Sequence, residues 1–347
     1  MAELAGHWAA GTPMAETPWL HDAAQAAQKY AEAVAVAAEA CAEDTAGQTC
    51  YICHGEGDED EGLVRGCACR GDNGYAHVSC LARLAEDAGN RELRGAGGPG
   101  FVRWHTCGLC EQSYHGLVAC ALGWACWKTY VSSPPDRRFG LGVLGSGLSE
   151  AKLYEDAVSV QEATLSTMRR LGASEHDILV AQDNLAFTCR KSARHERALQ
   201  MQRDAYAGWL RLYGEEDEHT VMSAGNYATT LTYLQRFGEA KALLRRTIPV
   251  AQRVLGANHQ FTHQMSAIYA EALYKDDVAT LDDLREAVMT LEDAERIARR
   301  VLSGAHSVTT GIERRLRESR AALRARETAP PPPPPPPAPL YDEDELE

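Results

Sequence analysis

The sequence that decides the fold is CYICHGEGDEDEGLVRGCACRGDNGYAHVSC at residues 50–80, completed by CGLC at residues 107–110. Its cysteines and one histidine form close pairs: Cys50 with Cys53, Cys67 with Cys69, His77 with Cys80, and Cys107 with Cys110. The whole chain has 11 cysteines, and seven of them lie in these pairs. Because the sequence shows no export signal, we interpret the cysteine density as metal binding rather than as a disulfide framework.

The spacing of the pairs indicates zinc. Two cysteines separated by two residues can both point at one metal ion from a tight turn of the backbone. One tetrahedral zinc takes four nitrogen or sulfur ligands, so eight ligands make two closed structural sites without an open position for catalysis. Seven thiolates and two Zn²⁺ would change the formal charge of the chain from −14 to about −17. A single pair would be a weak signal, whereas four pairs in register are specific.

The order of the ligands, four cysteines, one histidine and three cysteines, occurs in two families of zinc finger. Plant-homeodomain fingers have two residues inside the second pair and usually a tryptophan before the last pair, a position that Trp104 matches here. RING-CH fingers have one residue inside the second pair and seven before the histidine. Here Ala68 stands alone in the second pair, and residues 70–76 are seven. Residues 49–113 therefore resemble the RING-CH fingers of MARCH-type ubiquitin ligases.

This resemblance implies a cross-brace fold in which the pairs alternate between two zinc ions. The first zinc would take Cys50, Cys53, His77 and Cys80, and the second Cys67, Cys69, Cys107 and Cys110. Such a domain has little apolar core, so its folding should depend on zinc. His54 and His105 are neighbouring candidates for a ligand, but neither fits the paired spacing, and we interpret both as bystanders.

The resemblance also implies an activity. A RING finger has no nucleophile; it holds a conjugating enzyme and its thioester-linked ubiquitin so that a lysine can attack. The family places the contact with that enzyme at Ile52, Leu84 and Leu109, each of which could instead belong to a small apolar core. Leu84 stands where the family often has tryptophan, Gly108 gives no proline, and Glu111 supplies no cation to hold ubiquitin. These departures leave open a non-catalytic, zinc-binding scaffold.

A second pattern repeats along the C-terminal half. Leu171-Gly172, Tyr213-Gly214 and Leu255-Gly256 are each 42 residues apart, and the triplets at 184–186, 226–228 and 268–270 have the same spacing. A period of this length predicts helix pairs that stack into a superhelix, each pair burying its apolar face against its neighbours.

These landmarks resemble a long-period tetratricopeptide array of the kinesin-light-chain kind over roughly residues 150–327. The resemblance implies that an unknown protein or peptide binds the concave face, with Asn184 and Asn226 in the groove; the third repeat has Ile268 instead. The alternative is that both asparagines only bridge helix backbones. We interpret the histidines that follow each Gly as packing residues.

The predicted fold class is mainly α: a two-zinc cross-brace finger followed by an α-solenoid. The predicted segments are an alanine-rich, partly helical region at 1–48, the finger at 49–116, a helical connector with a Pro/Gly linker at 117–148, the repeats at 149–327, and a disordered tail at 328–347. The tail contains eight prolines at 330–337. This run predicts a polyproline II rod, which either binds a polyproline-binding domain or acts as a spacer before the acidic end.

Composition limits the classes of function. The chain has 35 Lys and Arg against 49 Asp and Glu among its 347 residues, which argues against binding nucleic acid or an anionic membrane. It has no apolar run of the roughly 18–20 residues that cross a bilayer. We expect a soluble, intracellular protein, with Cys41, Cys120, Cys126 and Cys189 as helix residues rather than catalytic thiols. We find no phosphate loop, catalytic triad or carboxylate pair.

The sequence thus predicts a RING-CH ubiquitin ligase that binds two Zn²⁺, a ubiquitin-conjugating enzyme carrying ubiquitin, and a partner on its repeats. The scaffold is the first alternative. The second is a chromatin-reading finger, which the seven-residue gap before the histidine disfavours.

Overall fold

The computed structural model describes residues 22–58, 61–69, 71–93, 100–133, 136–302 and 307–328. Within these ranges the chain is almost entirely helical, with three isolated β-bridges and two 3₁₀ turns, Gly71–Gly74 and Gly100–Trp104. This confirms the mainly α prediction. The proline run and the acidic tail lie outside the described residues, so the prediction of a polyproline rod stays a prediction.

The helices are α1 Ala23–Thr45, α2 Val78–Leu93, α3 Gly116–Tyr130, α4 Arg137–Glu150, α5 Tyr154–Arg170, α6 Glu175–Lys191, α7 His195–Tyr213, α8 Glu218–Tyr233, α9 Phe237–Val254, α10 Gln260–Tyr274, α11 Leu281–Leu302 and α12 Ser307–Thr328.

The chain divides into two compact units, Met1–Thr230 and Leu231–Glu347. In the first unit, successive helices from α3 to α7 pack as neighbours, and α1 packs on α3. In the second unit, α9 packs on α10, α10 on α11, and α12 on both α10 and α11. Each unit is therefore built from helices that are adjacent in sequence, as a stack of helix pairs requires.

Helix α1 supports the finger. It begins after Asp22, whose side chain accepts a hydrogen bond from the backbone N–H of Ala24 at 2.8 Å. Its buried residues Val34 and Ala37 belong to one apolar core together with most of the paired cysteines and with Val118 and Leu122 of α3. Burial of a Val or Leu side chain is worth about 1.5–3 kcal/mol. The finger thus shares its core with a helix on either side of it in sequence.

The segment expected to be a Pro/Gly linker is instead helical: residues 137–150 form α4. Gly147 on this helix serves close packing rather than flexibility. A Cβ atom at Gly147 would overlap the carbonyl oxygen of Ala119 on α3, and one at Gly123 of α3 would lie 3.1 Å from the Cα of Leu144. Glycine composition predicted a loop, but the backbones of α3 and α4 approach too closely for larger residues.

The repeat boundaries match the 42-residue period. Gly172, Gly214 and Gly256 all have a positive φ, between 65° and 100°, within two residues of the end of a helix. This left-handed conformation costs glycine little and a residue with a Cβ more. In the second unit, ion pairs join neighbouring helices: Glu271 of α10 contacts Arg315 of α12 at 2.6 Å, and Lys241 of α9 contacts Asp276 at 2.8 Å.

Substitution of Gly147 with alanine should destabilise the first unit, because the added methyl group has no room against α3. We expect a loss of about 1–3 kcal/mol of unfolding free energy, typical of overpacking. Chemical denaturation of the zinc-loaded chain measures it.

Gly142→Ala is the matched control on the same helix. A Cβ at Gly142 meets nothing within 4 Å. Alanine there should stabilise α4 by roughly 0.5–1 kcal/mol. Equal effects of the two substitutions would contradict the packing role of Gly147.

Candidate functional site

The first metal cluster consists of the first and third ligand pairs. The ligand atoms of Cys50, Cys53, His77 and Cys80 all lie within 4.8 Å of one another. Nδ1 of His77 is 3.4 Å from Sγ of Cys53 and 3.9 Å from Sγ of Cys80. Tetrahedral zinc with bonds of roughly 2.0–2.3 Å requires ligand separations a little under 4 Å. The cluster fits one zinc ion.

The backbone determines which nitrogen of His77 faces the metal. Nε2 of His77 lies 3.1 Å from the carbonyl oxygen of Glu56, to which it donates a hydrogen bond. The proton therefore sits on Nε2, and the lone pair of Nδ1 points at the sulfur atoms. A hydrogen bond of this kind fixes the ring orientation and strengthens the imidazole as a ligand.

The second cluster consists of the second and fourth pairs, Cys67, Cys69, Cys107 and Cys110, again with all ligand atoms within 4.8 Å. Sγ of Cys69 and Sγ of Cys107 are 3.7 Å apart, close to the edge of a ZnS₄ tetrahedron. The pairs alternate between the clusters along the chain, which is the cross-brace arrangement. The prediction of two zinc ions is confirmed by this geometry.

Two tight turns of similar form carry ligand pairs. The N–H groups of Ile52 and Leu109 each donate to the first sulfur of their own turn at 3.4 Å, and Gly55 N–H donates to Cys53 at 3.4 Å. Directly after each pair, His54 and Glu111 adopt a positive φ near 60°. These residues turn the chain, and neither belongs to a metal cluster.

The ionisation of the cysteines makes metal binding depend on pH. Burial raises the pKa of Cys80 and of Cys67 to about 11. Burial also acts on Cys50, but backbone N–H groups outweigh it and lower the pKa of this thiol to about 7. Without a cation, the four sulfurs of the second cluster and the three of the first would not all be thiolates at neutral pH. Zinc binding therefore displaces protons, and affinity should fall as the pH falls.

The last described residues of the 26-residue gap between Cys80 and Cys107 pack on the helices. Trp104, at the end of the 3₁₀ turn, is buried and packs edge-on against Tyr130 of α3, with ring centroids 5.9 Å apart. Its neighbour His105 lies beside Phe139 of α4, and burial lowers the pKa of this histidine. His105 lies outside both clusters, and its ring faces Phe139 instead.

The predicted contact residues lie at different depths. Leu84 on α2 and Leu109 in the last turn are 45% and 54% exposed, whereas Ile52 in the first turn is half-buried against the core of the finger. The sequence alone did not indicate a positively charged side chain at this surface. A Cβ at Gly108 would lie 2.8 Å from Nη1 of Arg103, so the Arg103 guanidinium lies against the last turn. The spacing of the ligand pairs gives no sign of this contact.

The asparagines of the repeats lie on helices α6 and α8. Asn184 is exposed and Asn226 half-buried. One turn before each is a partly exposed apolar side chain, Val180 and Met222, both 37% exposed. Asn184 also lines a cavity of about 160 Å³ between α4, α5 and α6. Gln161 lines the same cavity; it is buried, and its Oε1 has no hydrogen-bond partner among the described residues.

Two of the histidines after the repeat glycines, His176 and His219, pack in an aromatic cluster. His219 stacks on Trp209 with centroids 4.7 Å apart, and His176 meets the same indole edge-on at 5.1 Å. The Trp209 indole N–H donates to Asp183 at 2.7 Å, and Ser223 donates to the other oxygen of this carboxylate at 3.2 Å. Burial nevertheless raises the pKa of Asp183 to about 6. This cluster joins successive repeats of the first unit.

Comparison with protein families agrees with these two regions. Residues 50–110 match the RING-variant domain, and residues 177–253 match the tetratricopeptide repeat. The chain thus contains a RING-CH-type finger followed by tetratricopeptide repeats, and both predictions are confirmed. No curated protein matches the chain as a relative.

Among solved structures, the chain is similar to a putative kinesin light chain from Podosopora anserina with nearly identical TPR-like repeats. The identity is 19% and the TM-score 0.47, over 56% of this chain and 90% of that one. It is also similar to BtubC (BKLC) from P. vanneervenii, with 14% identity and a TM-score of 0.44, over 77% of this chain and 97% of that one.

Of the helices described, none has the length and apolar character needed to cross a membrane.

The complete chain should bind two zinc ions, one in each cluster. Cys50→Ser and Cys107→Ser should each leave the chain with fewer than two zinc ions and unfold the finger, because a buried site with three ligands binds zinc weakly and each site depends on the other. Metal analysis of the purified chain by mass spectrometry measures the stoichiometry, and circular dichroism follows the fold.

Cys41→Ser provides the control. Cys41 on α1 lies beside the finger, with the N–H of Arg65 donating to its sulfur at 3.5 Å, but it belongs to neither cluster. This variant should keep both zinc ions. Loss of zinc from it, or fewer than two zinc ions in the unaltered chain, would contradict the assignment.

Proposed function

We propose that the chain is a RING-CH-type ubiquitin-protein ligase, in which the finger binds a conjugating enzyme carrying ubiquitin and the repeats bind the substrate or a partner. The observation that carries this proposal is the cross-brace zinc fold with apolar side chains at Ile52, Leu84 and Leu109 on its surface. Leu84 and Leu109 expose about half of their area. An apolar patch on a rigid zinc-held surface suits recognition of another protein.

The chemistry proposed for the finger is positional. Both metal clusters are complete with four protein ligands, so neither zinc has an open position for activating water. Acceleration would come from holding the ubiquitin thioester in the geometry in which a lysine amine attacks its carbonyl. The two metal-held turns fix Ile52 and Leu109 in position, because the backbone N–H of each donates to a ligand sulfur at 3.4 Å.

Arg103 is our candidate for the cation that steadies ubiquitin. The residue after the last ligand, Glu111, is acidic, but the Arg103 guanidinium lies against Gly108 in the same turn. No salt bridge joins Arg103 to another described residue. Its N–H groups are therefore suited to carbonyl oxygens of a bound protein.

The partner on the repeats is proposed to bind the inner helices at Asn184 and Asn226. Each asparagine follows an exposed apolar side chain, Val180 or Met222, by one helical turn. A side-chain amide offers both a donor and an acceptor to the backbone of an extended peptide. The apolar neighbour supplies contact area next to those hydrogen bonds.

The second candidate is a non-catalytic zinc-binding scaffold. Glu111 after the last ligand favours it, since an acidic residue repels rather than holds the acidic surfaces that a cation would clamp. The presence of leucine rather than a larger aromatic residue at position 84 favours it as well, because less area is available for contact.

Discharge of a preloaded conjugating enzyme onto free lysine separates the two candidates. The complete zinc-loaded chain is used because the finger shares its core with α1 and α3. A ligase should accelerate discharge with at least one enzyme of a panel. Ile52→Ala should lower that rate by about tenfold, the effect of losing roughly 1.4 kcal/mol of apolar contact.

The control is Leu153→Ala, which removes a side chain of 43% exposure outside the finger. It should leave the rate within about twofold of the unaltered chain. No acceleration across the panel, from a chain that holds two zinc ions, would establish the scaffold instead.

Arg103→Ala should lower the rate of discharge at saturating conjugating enzyme by roughly tenfold, the value of a charged hydrogen bond of about 1.5 kcal/mol or more. Affinity for the conjugating enzyme should stay the same, because Arg103 is proposed to contact ubiquitin. Arg91→Ala on α2 is the control. Equal losses in both variants, or a loss of affinity only, would contradict this role.

A further inference from the structure

A groove of about 630 Å³ lies between α1 and the chain segment that follows the first ligand pair. One wall is formed by alanines at helical spacing on α1, and the other by residues 56–58 and 61–63 of the finger. Neither the zinc sites nor the predicted contact residues line it. The volume suffices for several side chains, so it exceeds what one bound ion would need.

The helical wall carries mostly small apolar side chains. Ala31, Ala35 and Ala42 are exposed, Val34 borders both the groove and the core of the finger, and Ala37 lies in that core. Ala38 forms the floor, where a Cβ at Gly62 would lie 2.9 Å from its methyl group. Methyl groups along this face provide a surface on which the aliphatic part of a long side chain can lie.

The opposite wall and the rim are acidic. The carboxylates of Glu39, Glu56, Asp58 and Glu61 line the groove, and the described lining includes no Lys, Arg or His. Asp58 and Glu61 are occupied in shaping the segment: Asp58 accepts the N–H of Glu61 at 2.9 Å, and Glu61 accepts the N–H of Ser79 at 2.8 Å. Glu39 and Glu56 form no ion pair within the described part of the chain.

The C-terminal end of α1 makes the electrostatic potential of the groove more negative. Its last residues, through Thr45 and Ala46, line the groove, and its last turn contains no basic residue. The C-terminal end of a helix carries about half a negative charge on its free carbonyl groups. The carboxylates and this helix end together make a negative groove with an apolar floor.

We propose that this groove docks a segment of a partner protein that bears several lysines or arginines. The aliphatic stems would lie on the alanines of α1, and the cationic groups would meet Glu39 and Glu56 at the rim. Lysine and arginine each combine a positive charge with a long aliphatic stem. These two properties match the negative charge and the apolar wall of the groove. This surface is distinct from Ile52, Leu84 and Leu109, so it does not rest on the ligase activity.

Fluorescence anisotropy with two labelled ten-residue peptides tests the proposal on the complete zinc-loaded chain. One peptide alternates lysine and alanine, and the other has glutamine in place of each lysine. The lysine peptide should bind and the glutamine peptide should not. Combined Glu39→Gln and Glu56→Gln should weaken binding about fivefold or more, because the peptide loses two exposed ion pairs.

Two matched controls exclude general attraction by an acidic chain. Combined Glu86→Gln and Asp87→Asn on α2 removes the same charge outside the groove and should change affinity less than about twofold. Ala35→Leu should fill the groove and weaken binding about threefold, whereas Ala40→Leu, on the same helix but outside the lining, should not.

Four outcomes would overturn the proposal. They are equal binding of the two peptides, equal loss in both double variants, no effect of Ala35→Leu, and self-association of the chain that Glu39→Gln with Glu56→Gln abolishes. The last would assign the groove to a second copy. Ile52→Ala should leave peptide binding unchanged, so a failure of the proposed ligase function and a failure of this proposal are distinguishable.

Discussion

The finger depends on eight ligand atoms gathered into two groups, each within 4.8 Å. A segment of this length has few apolar residues to bury, and burial of thiols such as Cys67 and Cys80 raises their pKa to about 11. Zinc resolves both difficulties, because it replaces the protons and ties distant turns together. The ligand pairs alternate along the chain. The two pairs that bind one zinc therefore enclose a pair that binds the other. Neither site can form fully while the other is disordered.

Helices α1 and α3, which flank the finger in sequence, add apolar contacts around the metal-binding turns. Val34 and Ala37 of α1 and Val118 and Leu122 of α3 complete the core around the metal-binding turns. Helix α3 in turn lies so close to α4 that a Cβ at Gly147 would overlap Ala119. The finger is thus continuous in packing with the start of the helical stack. This continuity gives the proposed ligase a stiff connection between the surface that holds the conjugating enzyme and the first repeats.

Local spacing predicted the parts of this structure that depend on neighbours in sequence. A Cys-x-x-Cys pair places both sulfurs on one metal, so the spacing of the cysteines predicted the metal ligands. The 42-residue period places Gly172 and Gly214 at equivalent helix ends, so it predicted the repeat boundaries. The helix at 137–150 was expected to be a linker, because glycine content alone does not distinguish flexibility from close packing. Arg103 and Gln161 were missed for another reason: their positions depend on which helices meet, and no single-sequence pattern encodes that contact.

The most direct test of this account is hydrogen exchange of the complete chain, measured by mass spectrometry before and after removal of zinc with a chelator. If the metal sites and the flanking helices form one cooperative core, the amides of α1 around Val34 should lose protection together with those of the finger. The second unit, Leu231–Glu347, should keep its protection. Unchanged protection of α1 in the zinc-free chain would contradict the account, since it would show that this helix is stable without the metal-held core.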